Sequence, residues 1–313
     1  LPNIVYHMDE PVADPAQLPV YVLSRETKKN GATVILTGDG GDETLAGYEQ
    51  VKFITYAQPF RIVPRALRVA GVKTVMAVLP PFVKDKLFKY ASKLGDVATQ
   101  RAVSMMHDVQ SVSHMYKAIT GLFSDEEIRQ LSTQQLPETD HVAPYLPPAS
   151  HNVINRILTF ETKALLPEHM LMKSDKMSMA WAIEGRVPLL DHELVEYTFR
   201  MPAHLKLHGT TEKYVLKKAM QPFLPKKILQ RGKQRFYVPI DLWLKRDLSA
   251  MTDTLLDPSL LHRQGFFNPT AVQKIKDNYN HAPLYYARQL WTLLTFQTWH
   301  AMFVEGRKAN ELM

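Results

Sequence analysis

The sequence predicts an α/β fold in which one short strand feeds a tight acidic turn and almost everything after it is helix. Three observations carry that expectation. Thr33-Val34-Ile35-Leu36 is a β-branched and aliphatic run, short and wholly apolar in the manner of a strand buried on both faces of a parallel sheet. It ends at Thr37-Gly38-Asp39-Gly40-Gly41-Asp42-Glu43 and gives way to helix-like sequence from Thr44 to Phe53. No second convincing strand follows in 313 residues, so the preserved part of any doubly wound sheet is a remnant among helices.

The elements follow in order. Residues 11–31 read as a loop and a helix, with Asp14-Pro15 as the start and Asn30-Gly31 as the stop. After Tyr48, helices are predicted over 50–60, 64–79, 81–94, 97–108, 111–119 and 124–132, punctuated by prolines at 59, 64, 80 and 81. Residues 136–150 hold four prolines and form the best loop. Further helices are predicted over 151–166, 168–184, 192–200, 210–223 and 240–250, with an aromatic-rich helical region at 270–304. On the helix 168–184, extended a turn, Asp175, Met179, Ala182 and Arg186 fall along one stripe.

The chemistry concentrates in the acidic turn. A strand, a glycine turn and a helix start gather backbone N–H donors suited to a phosphate. Asp39, Asp42 and Glu43 would repel a phosphate unless a divalent cation or an amine stands between them. The turn therefore reads as a site for a metal-bound nucleotide phosphate. The bland alternative is a helix opening in which Asp42 and Glu43 favour the positive end of the dipole. The stretch matches neither a Walker A loop nor a dinucleotide fingerprint.

Composition narrows the classes. A chain of 313 residues, 45% hydrophobic, can bury a full core. It has no cysteine, which excludes disulfides, thiolate metal sites and a cysteine nucleophile, and fits a reducing, cytoplasmic setting. No apolar run is long enough to span a bilayer, and no membrane partner is expected. Leu1 begins mid-way through organised sequence, so the chain is expected to be a piece of a longer protein. The net charge of +7 is concentrated at 205–235, where nine Lys/Arg face one acid, Glu212. Such a stripe serves a polyphosphate, a nucleic acid or a solvated helix face; aromatic interleaving is thin, so nucleic acid is the unfavoured choice.

Two further constellations stand out. Lys163 to Asp191 carries Lys163, Lys173, Asp175, Lys176, Glu184, Arg186 and Asp191 among methionines. Its simplest reading is structural, with ion pairs fixing a helix and the Val187-Pro188 turn and with methionines as core packing. Arg231-Gly232-Lys233-Gln234-Arg235-Phe236 is a basic glycine loop, commonly just solvated. Its Lys233 gains interest as the cation opposite the acidic turn, where a lysine stabilises a leaving phosphate.

Taken in order, these segments resemble the synthetase domain of glutamine-dependent asparagine synthetases over nearly the whole chain. The resemblance runs through His7-Met8-Asp9-Glu10-Pro11, Asp14-Pro15, Leu36 to Glu43 with Ala46-Gly47-Tyr48, Lys163 with Leu166-Pro167, Lys173 to Ala180, Glu184 to Asp191 and Arg231 to Phe236. It implies an adenine nucleotide alpha hydrolase-like (Rossmann-like) synthetase domain, truncated here. Residues 1–53 would be the nucleotide-site part, 54–150 a helical region and 151–313 a helical region completing the site. It also implies ATP and Mg²⁺, activation of a carboxylate such as aspartate as an acyl-adenylate, and attack by ammonia from glutamine hydrolysed in an upstream domain. By position, Thr37 and Gly38 would contact AMP, with Gly40 in the same cradle. Asp39 would receive the ammonia, Asp42 would help hold Mg²⁺–pyrophosphate, and Lys233 would stabilise pyrophosphate. Lys163 lies near a second such lysine.

Asp39 stands where the family usually has Glu, and Thr37 where it commonly has Ser. The glutaminase cysteine and a Ser-Gly-Gly-x-Asp-Ser loop are absent from the sequence, and both are expected upstream. Relatives that amidate sugar acids or close β-lactam rings are the alternative within the class. A basic helical scaffold or nucleic-acid module is the alternative outside it. A homo-oligomer is compatible with either.

Overall fold

A computed structural model describes residues 1–80, 96–137, 139–231 and 237–312. The predicted helix 81–94 and the basic loop around Lys233 fall outside them.

The chain opens with α1 (Pro2–Met8) and α2 (Gln17–Lys29). Asp14 does not cap α2 from its first turn; its Oδ1 accepts the Ala16 N–H at 3.0 Å, and the helix starts two residues later than Asp14-Pro15 suggests. Gly31, at φ 82°, turns the chain into β1 (Val34–Leu36). Next come α3 (Gly41–Leu45), α4 (Glu49–Ala57), a 3₁₀ turn (Gln58–Ile62) and α5 (Arg65–Val78). Helices α6 (Asp96–His107), α7 (Val112–Thr120) and α8 (Asp125–Leu131) follow; Ser124 and Glu127 start α8 with a reciprocal capping box.

The predicted break at Pro167 is absent. Instead α9 (Val153–Phe160), capped by Asn152, runs into a π-helix (Glu161–Leu171) and then α10 (Met172–Met179). Pro167 sits inside the π-helix. A proline lacks the N–H and collides with the preceding turn of an α-helix, and the wider turn carries the backbone past that collision.

Residues 181–184 are not helical. The chain turns at Ala182, whose φ is 51°, into β2 (Glu184–Arg186). The expected stripe from Asp175 to Arg186 is therefore broken: Arg186 is on a strand, where its Nε pairs with Glu184 Oε1 at 2.8 Å. Asp191 is also no ion-pair partner of that stripe; it caps α11 (His192–Arg200). β2 runs parallel to β1, pairing Val34 with Glu184 and Leu36 with Arg186.

The single-strand expectation is thus corrected, and so is the expectation that β1 is buried. Leu36 is 73% exposed and Val34 41%, because among the described residues β1 has one neighbour and no covering layer.

Beyond α12 (Ala203–Lys206), the predicted helix 210–223 shrinks. A hairpin of β3 (Leu207–His208) and β4 (Thr211–Glu212) precedes α13 (Tyr214–Ala219). Short helices α14 (Lys226–Gln230), α15 (Ile240–Trp243) and α16 (Ser249–Leu255) lead to α17 (Pro258–Gln264), α18 (Pro269–Asp277) and α19 (Pro283–Phe303).

Two large cores form. Leu290, Trp291 and Leu294 of α19 pack against Ile240, Leu256, Leu261 and Val272. Val51 and Ile54 of α4 pack against Met115, Ile157 and Leu158. A smaller cluster of Ile4, Met8 and Met177 joins the first helix to α10, so Met177 is core as expected, whereas Met179 is exposed. The acidic turn leads into α3, which packs against the π-helix, α9 and α11. Among the described residues, no helix is long and apolar enough to cross a membrane.

Candidate active site

The turn is built by close approach. Gly40 caps α3 at φ 85°, and a Cβ there would lie 2.1 Å from Leu190 Cδ2. A Cβ on Gly41 would lie 2.7 Å from Leu189 Cδ1. The glycines let the turn sink onto the segment 188–190, which packs the first constellation directly against the second. β1 and β2 reinforce this, since the Thr37 N–H donates to Arg186 O at 2.8 Å. Gly38 differs: nothing lies within 4 Å of the space its Cβ would fill.

Each carboxylate has its own partner. Asp39 Oδ2 accepts from Thr37 Oγ1 and from Ser174 Oγ, both at 3.0 Å. Asp42 Oδ1 pairs with Lys213 Nζ at 2.9 Å. Lys213 has φ 52°, in the left-handed region, between β4 and α13. Gly47 leaves room for the pair, because a Cβ there would lie 1.9 Å from Asp42 Oδ1 and 2.3 Å from Lys213 Cε. Glu43 is buried and accepts from the Tyr48 hydroxyl.

Beneath it, buried Glu161 accepts from Gln50 Nε2 at 2.9 Å and from the Tyr116 hydroxyl at 3.1 Å. Burial, then the neighbouring Glu43 carboxylate, pushes the Tyr48 hydroxyl far above its ordinary value. Burial and Glu161 do the same for Tyr116. Both hydroxyls therefore stay protonated donors throughout the physiological range.

A second cluster flanks the turn. Asp14 Oδ2 pairs with Lys173 Nζ at 2.7 Å and His169 Nε2 at 3.2 Å. Burial alone would raise the Asp14 carboxyl, but His169 and Lys173 outweigh it and hold it well below the carboxylate range. Lys173 precedes Ser174, so this buried pair fixes the backbone that presents the Ser174 hydroxyl to Asp39.

The structure thus brings Thr37, Asp39, Gly40 and Asp42 together with the segment 174–190. Lys163 is exposed on the π-helix, next to Thr162, whose hydroxyl donates to Glu43 O at 3.5 Å. Lys233 lies outside the described residues. The three carboxylates do not converge, and among the described residues no group of three His, Cys, Asp or Glu side chains could hold a metal. Mg²⁺ carried on nucleotide phosphates takes only one or two carboxylates from a protein, so it does not require such a group.

Lys213 entered the sequence reading only as one of nine cations in the basic stripe; its hairpin-to-helix position is a tertiary fact. The stripe itself is not continuous. Lys206 is fully buried, donating to Asn155 Oδ1 at 2.9 Å above the Phe199 ring, and Lys213 is spent on Asp42.

Comparison with known proteins bears on the whole chain. The family model described as asparagine synthase matches residues 1–301. A protein of Mycobacterium tuberculosis named putative asparagine synthetase [glutamine-hydrolyzing] is 32% identical over 97% of this chain and 44% of its own length. Asparagine synthetase [glutamine-hydrolyzing] 1 of Bacillus subtilis is 28% identical, over 99% of this chain and 47% of its own length. Amidase chyE of Penicillium rubens is 25% identical over 87% of this chain and 42% of its own length. The chain spans less than half the length of these relatives.

Proposed function

The chain belongs to the asparagine synthase family, and on that premise we propose that it carries the amide-forming half of an ATP-dependent amidotransferase. In this reading a carboxylate of the substrate, aspartate in the first instance, attacks the α-phosphorus of ATP, and the bond to pyrophosphate breaks. Ammonia derived from glutamine then attacks the acyl carbon, AMP leaves, and the nitrogen sheds a proton.

The observation that carries the proposal is the acidic turn, with an oriented Asp39 on one side and the Asp42–Lys213 pair on the other. Thr37 and Gly38 border the AMP moiety, Gly38 offering open backbone. Two hydroxyls hold Asp39 by Oδ2, so Oδ1 is the oxygen presented to an incoming amine, and the carboxylate is placed to take its proton. Mg²⁺, when bound, would offset charge on the departing pyrophosphate. Asp42 would hold it, while Lys213, Lys233 and Lys163 would face phosphate oxygens. Lys213 compensates Asp42 beforehand, so the partner exchange happens between groups already in place.

The longer protein containing this chain, given ATP, Mg²⁺, aspartate and glutamine, should release AMP and pyrophosphate in step with asparagine. Release of ADP and phosphate would reject adenylation. Residues 1–313 alone should turn over little, since β1 exposes apolar surface beside the site; full turnover by them would overturn that part.

A second reading keeps the chemistry and changes the acceptor to a sugar acid or a ring-closing amine. It is favoured by Asp39, one methylene shorter than the family's Glu, and by the similarity to an amidase. A panel of carboxylates scored by AMP release separates the two.

A further inference from the structure

Lys213 is delivered to Asp42 by the β3–β4 hairpin, which is tied down at its start, its tip and its end. At the start, Leu207 packs in the same core as Val51 and Ile54 of α4, and the Lys206 ammonium donates to Asn155 Oδ1. At the tip, the Tyr56 hydroxyl of α4 donates to Gly209 O. At the end, Lys52 Nζ of the same helix pairs with Glu212 Oε1 at 2.9 Å, and the two side chains are only 23% and 12% exposed. Lys52 and Tyr56 stand four residues apart, so one face of α4 makes both polar ties.

The tie at Glu212 bears directly on the residue that follows it. Lys213 holds φ 52° and ψ 38°, a left-handed conformation that is unfavourable for any residue with a Cβ and persists only where its flanks fix it. On one flank the Lys213 carbonyl accepts the Lys217 N–H at 2.9 Å as α13 begins, and the Tyr214 ring stacks on His208 at 4.6 Å. On the other, Glu212 pairs with Leu207 in the hairpin ladder and its carboxylate pairs with Lys52. An ion pair largely removed from water holds its partners firmly, because either charge left alone there is strongly unfavourable. Glu212 is also the one acid among the nine Lys/Arg of 205–235, and the cation that answers it comes from outside that stretch. The Lys213 ammonium is thereby left to Asp42.

On the adenylating reading above, we propose that Lys52 and Glu212 are positioning residues, the pair that aims Lys213 at the pyrophosphate end of the site. Neither side chain meets a reacting atom. The pair clamps β4 to α4, and α4 follows closely on Gly47, whose lack of a Cβ gives Lys213 Cε its room. The seating of β4 on α4 thus sets where the ammonium lies beside Asp42.

The test is calorimetric binding of pyrophosphate with Mg²⁺, and separately of AMP, to the longer protein containing this chain. Lys52→Met should weaken pyrophosphate about tenfold and leave AMP within about twofold of the parent. Lys52→Arg, which can still pair with Glu212, should bind both ligands like the parent. Tyr56→Phe, which deletes one hydroxyl from an exposed ring, should weaken pyrophosphate about threefold, and it decides the matter if Lys52→Met does not fold. Parent-like pyrophosphate binding by these two weakening variants overturns the proposal. So does an equal loss of AMP, which would make the tie a matter of general stability, or a loss with Lys52→Arg as large as with Lys52→Met. A parent that binds neither ligand rejects the adenylating reading itself, and the proposal with it.

Discussion

Replacing Gly40 with alanine tests how the acidic turn is held. The native φ of 85° is one that an L-residue adopts at a cost of roughly 1–2 kcal/mol. The added Cβ would sit 2.1 Å from Leu190 Cδ2 and 2.3 Å from Leu190 Cγ, so the whole isobutyl fork must move. Overpacking of that kind costs about 1–3 kcal/mol. Gly40→Ala should therefore destabilise the chain by about 2–5 kcal/mol, measured by urea unfolding followed by circular dichroism.

Leu190→Ala removes the obstructing fork and leaves the dihedral strain. In a double-mutant cycle the pair should thus show a favourable coupling of about 1–3 kcal/mol, with roughly 1–2 kcal/mol unrecovered. A Gly40→Ala midpoint within error of the parent, or a cycle with no coupling, would refute the close approach of the turn to 188–190.

Three other outcomes are expected. Burial lowers the Lys206 amine to about 8, while an unfolded lysine titrates near ~10.4, so between those values the unfolded chain binds more protons and stability rises with pH, by at most about 3 kcal/mol. Lys206→Met should remove that slope when urea midpoints are compared at pH 7.5 and 10. Asp14→Asn leaves Lys173 buried without its carboxylate and should cost about 3 kcal/mol in thermal unfolding near neutrality. Because the folded Asp14 carboxyl is held low, its contribution is complete above the ordinary aspartate range and shrinks as pH falls below it; the variant and the parent should converge in acid. On the proposed adenylation by the longer protein, Lys233→Ala should lower pyrophosphate release on the order of a hundredfold, and Lys213→Met about tenfold; parent-like rates would remove either lysine from the phosphate end.

Much of the turn could be read from the residues, because strand, glycine spacing and carboxylates are local signals. The helix boundaries in the N-terminal half followed proline and capping positions for the same reason. What the sequence hid is tertiary. Glu184-Gly185-Arg186 has no strand pattern of its own and becomes β2 because β1 offers it a ladder. Pro167 read as a break, but neighbours hold the helix together through a wider turn. Lys213 looked like one cation among nine, and only the fold shows which of them reaches Asp42. Lys206, from the same stripe, turned inward altogether.

The side of β1 that has no neighbour among the described residues carries a consequence for anyone preparing this chain. Three residues of extended backbone present amide and carbonyl groups along one edge, flanked by the outward aliphatic side chains of Val34 and Leu36. Such an edge recruits whatever strand it meets, including that of another molecule. Concentrated samples should therefore cloud or oligomerise with time, and a lysine in place of Leu36 should keep them clear.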